Sequence, residues 1–475
     1  MNSPRDSKNK ISRREFLALS KAAAVGGVVG GLVVGGIAGY FAGLSAAGPG
    51  RTQTVTQTAT VGGAAVTTTA TQVLTQTITH TIRGGEFPET IRIGLGAFLS
   101  GPFVSEGEHI LNGAKLAIKE AKEWFLGGGR NIELVVGDLG SVTPDEVKRA
   151  FELFETSNTH INICYWGSYG PGWDSTLKTG IPLITGDTPM GVTDFIAAHP
   201  EIRLAITYSP VATGRYAKTF LNFLDWLKME GKWQPRHNPP TMYIVHSDFT
   251  WDADWAKVMQ PLAEKRGWKI VGYDLVPTNT LDWSPVLSKI RTTDPDVIMF
   301  CDLIPADAGT FTAQFTANPT KSLLCNTWGF AAPESVQVAD PESLIGALWG
   351  SGTMPIEGPI LDSFVNKYRN EFNKEPYISA SHIYDSINIA LKAIQSAGST
   401  DPAKVYNAIF EIAHQGVEGR WVFDRNTKIH LDSPDTAPNQ ILQIQIRGGK
   451  IYQYNTIYPP EVAFRTKFEL PPWLQ

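Results

Sequence analysis

The strongest constraint on the fold is an alternation that begins near residue 91 and continues through most of the chain. Short apolar runs closed by turn residues are separated by longer stretches with helical periodicity. Residues 91–98 form one such run, closed by Leu99-Ser100-Gly101-Pro102, which is the pattern of a buried strand. Ser105 stands where it can cap a following helix, with Glu106 and Glu108 in the first turn and Ile110, Leu111, Ala114, Ala117 and Ala121 on an apolar face. Residues 131–137 read as the next strand. Thr143-Pro144-Asp145-Glu146 then opens a helix, with proline at its first position. Strands at 161–165 and 182–185 complete a first series. A second series has strands at 242–246, 269–275, 297–301 and 322–325 and helices at 252–266, 284–291 and 306–315. Strands separated by helices of this length mean βαβ units and parallel sheets. Two series predict an α/β protein of two doubly wound parallel-sheet lobes. Helices at 361–372, 379–396 and 402–412 follow, then β-type segments at 419–423, 440–446 and 451–457. A hydrophobic fraction of 42% supplies a large core and rules out global disorder.

Upstream of residue 88 the composition changes. Residues 1–50 carry six Lys/Arg against two acids, and 22–44 carry no charge at all. Ser12-Arg13-Arg14-Glu15-Phe16-Leu17, set before that uncharged run, resembles a twin-arginine export signal. The run is also long enough to span a bilayer, and Ser45-Ala46-Ala47 offers small residues for cleavage, so residues 1–50 read as a signal or a membrane anchor. Residues 51–82 hold 13 threonines among 32 residues, with no Asp, Glu or Lys. They read as an extended Thr-rich stalk that reaches to residue 87. The remainder divides into a first lobe (88–208 and 355–415) and a second (209–354 and 416–475). After residue 50 there are 35 Lys/Arg against 44 Asp/Glu. An acidic body inside a chain of net charge −5 argues against nucleic-acid binding.

In open parallel sheets, ligands bind beyond the carboxyl ends of the strands. The loops predicted there hold Trp166, Gly167, Ser168 and Tyr169, then Thr185, Asp187 and Thr188, then Trp251, Asp302, Thr327 and Trp328. They are rich in hydroxyls, amides and aromatics and poor in paired acids, bases and nucleophiles. That composition points to binding, with no catalytic residue and no cofactor. Trp166, Trp251 and Trp328 are the aromatic candidates for ligand contact, while Trp173 and Trp255 read as packing. The nine histidines form no H-x-x-x-H pattern, so no metal site is expected, and His246 reads as a core residue. Cys164, Cys301 and Cys325 all fall at strand ends, as buried thiols or, for the last two, as a disulfide pair outside the cell.

Several segments together resemble a known family. Leu99-Ser100-Gly101-Pro102 with Gly107, Asn112-Gly113-Ala114 and Leu116-Ala117 is similar to the opening of the branched-chain amino-acid-binding proteins of ABC importers. Residues 130–135 with Asp138, Tyr384-Asp385-Ser386 with Ala390, Asp401-Pro402, and Val417-Glu418-Gly419 with Phe423-Asp424 continue the likeness over residues 90–430. The resemblance implies the type I periplasmic-binding-protein fold, two lobes joined by three crossover strands that close over a small polar solute such as an amino acid or amide. It implies an exported protein at the cell surface or in the periplasm. Its partners would be ABC permease subunits with their cytoplasmic ATPases, with membrane association through residues 22–44 if the signal is uncleaved. Residue by residue, it places Ser168 and neighbouring amides on a ligand carboxylate, Thr185, Asp187 and Thr188 in the next loop, and Trp251 as the stacking aromatic. Glu106 stands where relatives have a tyrosine. Thr327 and Trp328 stand where amino-acid binders place an acid for the ligand ammonium, leaving Asp187, Glu106 or Asp302 to replace it. The alternatives are a ligand-sensing accessory protein of the same fold and a twin-arginine-exported enzyme.

Overall fold

A computed structural model describes residues 53–61, 64–72, 87–128 and 130–475. The twin-arginine-like motif and the uncharged run at 22–44 lie outside the described residues. The chain separates into two units, Met1–Thr81 and Ile82–Gln475. In the first, β1 (Gln53–Val61) and β2 (Ala64–Gln72) pair antiparallel, with Gln53 opposite Gln72 and Val61 opposite Ala64. Threonine is β-branched and favours this extended backbone. The stretch read as an extended stalk contains this paired ribbon.

The second unit is built on two large sheets. The first is built from β3 (Thr90–Ala97), β4 (Asn131–Asp138), β5 (Ile161–Cys164), β6 (Leu183–Thr185) and β7 (Leu204–Ile206). These lie in the order β4-β3-β5-β6-β7 and all pair parallel. Its crossovers carry α1 (Val104–Trp124), α2 (Pro144–Thr156), α3 (Pro171–Thr179) and α4 (Val192–Ala198). Thr143 caps α2 as expected: its side chain accepts from the Glu146 N–H, and the Glu146 carboxylate accepts from the Thr143 N–H at 3.1 Å. Ser105 does not cap α1. The helix starts one residue earlier, and the Ser105 hydroxyl donates to Glu334 at 3.1 Å.

The second sheet follows α5 (Arg215–Met229). It comprises β8 (Thr241–Ser247), β9 (Lys269–Val276), β10 (Val297–Cys301), β11 (Leu323–Asn326) and β12 (Leu348–Thr353), with α6 (Thr250–Lys265), α7 (Ser284–Thr293) and α8 (Pro305–Thr316) between them. Alternate residues serve opposite faces. Met242, Ile244, Val297 and Met299 join the cluster under α5 and α6, while Tyr243, Val245, Ile298 and Phe300 join the one under α7 and α8. The chain then supplies α9 (Pro359–Phe372), α10 (Ile378–Ala397) and α11 (Pro402–Ile409), and a short ribbon, β13 (His414–Gly416) with β14 (Gly419–Trp421). It ends in β15 (Asn439–Arg447) and β16 (Lys450–Tyr458), which complete the order β16-β15-β12-β11-β10-β8-β9. The parallel lobe that was expected is present from β9 to β12, and this last pair adds an antiparallel edge to it. The reason is local: Gly448 and Gly449 both adopt positive φ (58° and 76°), which suits a two-residue hairpin turn.

The backbone passes between the lobes three times: after β7, after β12 and just before β15. Trp421, Phe423, Ile429 and Ala437 are buried in the first-lobe core, so the third passage comes later than the division expected at 416. Cys164, Cys301 and Cys325 are buried free thiols, and no disulfide joins the last two. Helix α1 meets α10 at Gly113, where an added Cβ would lie 2.2 Å from the Ala380 carbonyl oxygen. Gly113→Ala should destabilise the fold by about 1–3 kcal/mol through overpacking, read as a lower urea midpoint at unchanged slope.

Candidate functional site

At the carboxyl end of the first sheet the chain fills one site with its own carboxylate. Asp187, 3% exposed, accepts from the backbone N–H of Gly167 at 2.7 Å and of Ser168 at 3.2 Å. It also accepts from the hydroxyls of Ser168 and of Thr185 (2.9 Å) and from the indole N–H of Trp173 at 3.1 Å. Gly167 turns the loop through φ 90°, which brings the two successive amides onto one acceptor. Burial pushes the Asp187 carboxyl upward against the pull of these donors. Ser168 and Thr185 are both fully buried in this network. Both were expected at the ligand, and in this structure both bond the protein's own acid. Tyr169 sits at the rim, its ring 5.0 Å from that of Trp173, which is a packing residue as expected.

Aromatic side chains gather where the lobes meet. The Trp166 indole donates to Glu106 at 3.0 Å and packs on Phe98 and Phe103 at ring distances of 4.6 and 4.9 Å. Burial, reinforced by the charge of Glu334, pushes the Glu106 carboxyl up to about 7 even though Trp166 stabilises its charge. Glu334 comes from the second lobe and accepts from the Ser105 hydroxyl and from the Tyr377 phenol. Tyr208 donates to the Tyr165 oxygen at 3.3 Å, stacks on His382 at 4.4 Å and meets the edge of Trp328 at 5.4 Å. Trp328 packs on both lobes and crowds Gly352, where a Cβ would lie 2.0 Å from its ring. On another side, the Trp251 indole donates across the lobes to the Thr188 hydroxyl at 2.9 Å.

The second-lobe strand ends hold a different set. Asp252, fully buried, accepts from the Ser247 hydroxyl at 2.6 Å and the Leu303 N–H at 3.2 Å, leaving Oδ1 without a partner. Asp302, also fully buried, accepts from the Ile304 N–H at 2.8 Å, and its Oδ2 has none. Desolvation pushes Asp252 up to about 7 and raises Asp302 and Asp307; the charge of Asp307 adds to the rise of Asp252, and the charges of Asp252 and Asp307 add to that of Asp302. Thr327 is buried, and its hydroxyl accepts from the Asp302 N–H at 3.2 Å, so it ties two strand ends together. His246 bonds the Ser247 carbonyl at 2.9 Å and Trp255 is buried, both as expected for core residues. No cluster of three or more His, Cys, Asp or Glu side chains able to hold a metal occurs among the described residues.

The structure therefore brings Glu106, Trp166, Trp328, Trp251 and Thr188 to the junction of the lobes and assigns Ser168, Thr185, Asp187 and Thr327 to internal bonding. Asp302 lies buried in the second lobe. Sequence reasoning missed Tyr165, Tyr208, Glu334, Tyr377 and His382. Tyr165 immediately precedes Trp166 at a strand end and carried that signal; the others come from a crossover, an irregular loop and helix α10, which strand-end reading does not reach.

Two α/β lobes linked by three backbone passages define a two-lobed binding protein. Residues 90–434 match the family described as periplasmic binding protein, and the chain belongs to that family. It is similar to Leu/Ile/Val-binding protein homolog 2 of Brucella abortus, 24% identical over 338 residues, covering 69% of this chain and 84% of that protein. Among solved structures, one described as a putative branched-chain amino acid ABC transporter from Silicibacter pomeroyi superposes with a TM-score of 0.73 at 21% identity, covering 81% of this chain and all of that one. A Streptococcus pneumoniae branched-chain amino acid transporter substrate-binding protein in complex with isoleucine gives 0.60 at 21% identity, covering 78% and 100%. A Rhodopseudomonas palustris ABC-transporter solute-binding protein in complex with 3,4-dihydroxybenzoic acid gives 0.62 at 18%, covering 77% and 96%.

Asp187→Ala should cost about 3–5 kcal/mol in chemical denaturation, because it strands several buried donors at once. The folded pKa of Asp252 lies above its unfolded value near 4, so the folded state holds this proton more tightly and loses stability as pH rises from about 4 to about 8. Asp252→Asn should therefore gain on the wild type between pH 5 and pH 8, by up to about 2.5 kcal/mol, in unfolding measured at both values.

Proposed function

We propose that this protein is an extracytoplasmic solute-binding protein that captures a small polar solute between its lobes by hinge closure and delivers it to the permease of an ABC importer. The observation that carries the reading is the direct bonding of one lobe to the other among aromatic side chains, Trp251 to Thr188 and Ser105 to Glu334. Contacts of this kind form only when the lobes are together, so they are what a ligand bound between the lobes would strengthen. The family match supports the same role, as do the names of the relatives. Amino acids, amides and aromatic compounds are the solutes to test, with Trp166, Tyr169, Thr188, Trp251, Trp328 and Glu106 as the contacting set. The twin-arginine-like motif is consistent with export in a folded state, and residues 22–44 with retention at the membrane. Among the described residues no helix is long and apolar enough to cross a membrane.

A binding solute should raise the melting temperature by linkage and reduce the radius of gyration in solution scattering. Trp251→Ala and Trp328→Ala should each weaken that solute by about ten-fold or more in calorimetry. Undiminished affinity in both variants would place the ligand elsewhere.

A further inference from the structure

A histidine in α10 joins the start of the first passage between the lobes to the β13–β14 ribbon. His382 is fully buried, with Nδ1 2.8 Å from Oε2 of Glu418 and Nε2 2.7 Å from the Thr207 hydroxyl. Glu418 and Thr207 are buried as well, and the Ser381 hydroxyl donates to Oε1 of Glu418 at 2.9 Å. Donor and acceptor roles follow from these neighbours. The Thr207 hydroxyl has one proton, and the Thr185 carbonyl accepts it at 3.1 Å. Thr207 therefore accepts from the ring, and Nε2 carries a proton. The 2.8 Å contact of Nδ1 with Glu418 then needs a proton of its own, because two bare lone pairs at that distance repel. Supplied by Nδ1 or by Oε2, that proton leaves the pair without net charge. The reverse arrangement, with Thr207 donating to a bare Nε2, sets two oxygens against each other and leaves the Glu418 charge unbalanced in the interior. Among the described residues no other basic side chain lies within ion-pair distance of Glu418. Burial raises the Glu418 carboxyl, which also favours keeping the proton.

Aromatic rings connect this pair to the junction of the lobes. The Tyr208 ring stacks on His382 at 4.4 Å and meets Trp328 at 5.4 Å, while Tyr165 and Trp421 stand edge-on to His382 at 5.2 and 5.5 Å. The other titratable groups around the pair are the phenols of Tyr165 and Tyr208, Asp385 with His414 beside it, and His430 beyond Trp421. Asp385 accepts from the N–H groups of Val417 and Glu418, and burial keeps the His430 ring neutral, so neither supplies the proton. We propose that His382 and Glu418 hold between them one proton that the unfolded chain gives up at neutral pH, and that the protonated pair is the positioning element for Tyr208 at its contact with Trp328. The role assigned to the pair rests on the solute-binding reading, because Trp328 belongs to the contacting set proposed there. The proton does not.

The test uses the full chain without ligand. In the unfolded chain histidine is neutral above about pH 6.5 and glutamate is ionised, so folding takes up the shared proton there and stability falls as pH rises. Urea unfolding between pH 7 and pH 9 should show the wild type losing ground to Glu418→Gln, by up to about ten-fold in the unfolding equilibrium constant per pH unit. Asp252 titrates in both chains and drops out of the comparison. His382→Gln gives the same comparison if Glu418→Gln does not fold. The same pH dependence in wild type and variant would overturn the shared proton. Positioning is read by fluorine NMR of the chain labelled with 5-fluorotryptophan, with the Trp328 resonance identified by its loss in Trp328→Phe. That resonance should be displaced in Glu418→Gln and in His382→Gln. It should stay in place in His160→Gln, which removes a first-lobe ring bonded to the Arg92 N–H. A Trp328 resonance unmoved by loss of either member of the pair, or moved as far by His160→Gln, would overturn the positioning role. Neither result touches solute binding itself, which falls only if no member of a broad solute panel shifts melting.

Discussion

Carboxylates that the chain supplies to its own backbone hold the junction of the two lobes in place. Loops that leave a parallel sheet carry amide donors with no strand partner, and a buried donor needs an acceptor. Asp187 accepts for the loop after β5. Asp385 does the same where α10 meets the β13–β14 ribbon, taking the N–H of Val417 at 2.9 Å, of Glu418 at 3.0 Å and the indole of Trp421 at 2.9 Å. Asp296 accepts from the N–H groups of Arg236 and Thr241 at the far end of the second sheet. Donors to Asp385 and Asp296 keep both carboxyls below the usual range in spite of burial. The surrounding aromatics and the cleft depend on these loops for their positions.

The backbone passages between lobes are tied by buried polar side chains. His382 bonds Thr207, just past β7, at 2.7 Å and Glu418 at 2.8 Å. The His430 ring bonds the Thr353 hydroxyl, at the end of β12, at 3.3 Å, and the His430 backbone N–H donates to the Ile206 carbonyl at 2.9 Å. Burial pushes the His430 ring down to about 3, so it stays neutral through the physiological range. A hinge moves by changing backbone angles at a few residues, and here those residues share one network next to Tyr208 and Trp328.

The order of strands and helices from β3 to β11 was legible because each element announces itself locally, by an apolar run, a cap such as Thr143, or a glycine stop. The mixed edge of the second sheet was not: Gly448-Gly449 is a local signal for the β15–β16 hairpin, but nothing local says that β15 docks antiparallel beside β12. The candidate site was half legible. Trp166, Trp251 and Trp328 lie at strand ends, and strand ends converge by topology. The roles of Ser168, Thr185 and Asp187 were not, because a carboxylate 19 residues from a serine announces nothing about which of them will meet the ligand.

The sequence by itself determined that the body is a two-series α/β chain with binding loops of hydroxyl, amide and aromatic character, because periodicity and turn chemistry act over a few residues. Only the tertiary structure decided which polar groups satisfy one another and which are left to face the cleft. Ser105 and Glu334 stand 229 positions apart, and the hydrogen bond between them exists only once the two lobes bring them together.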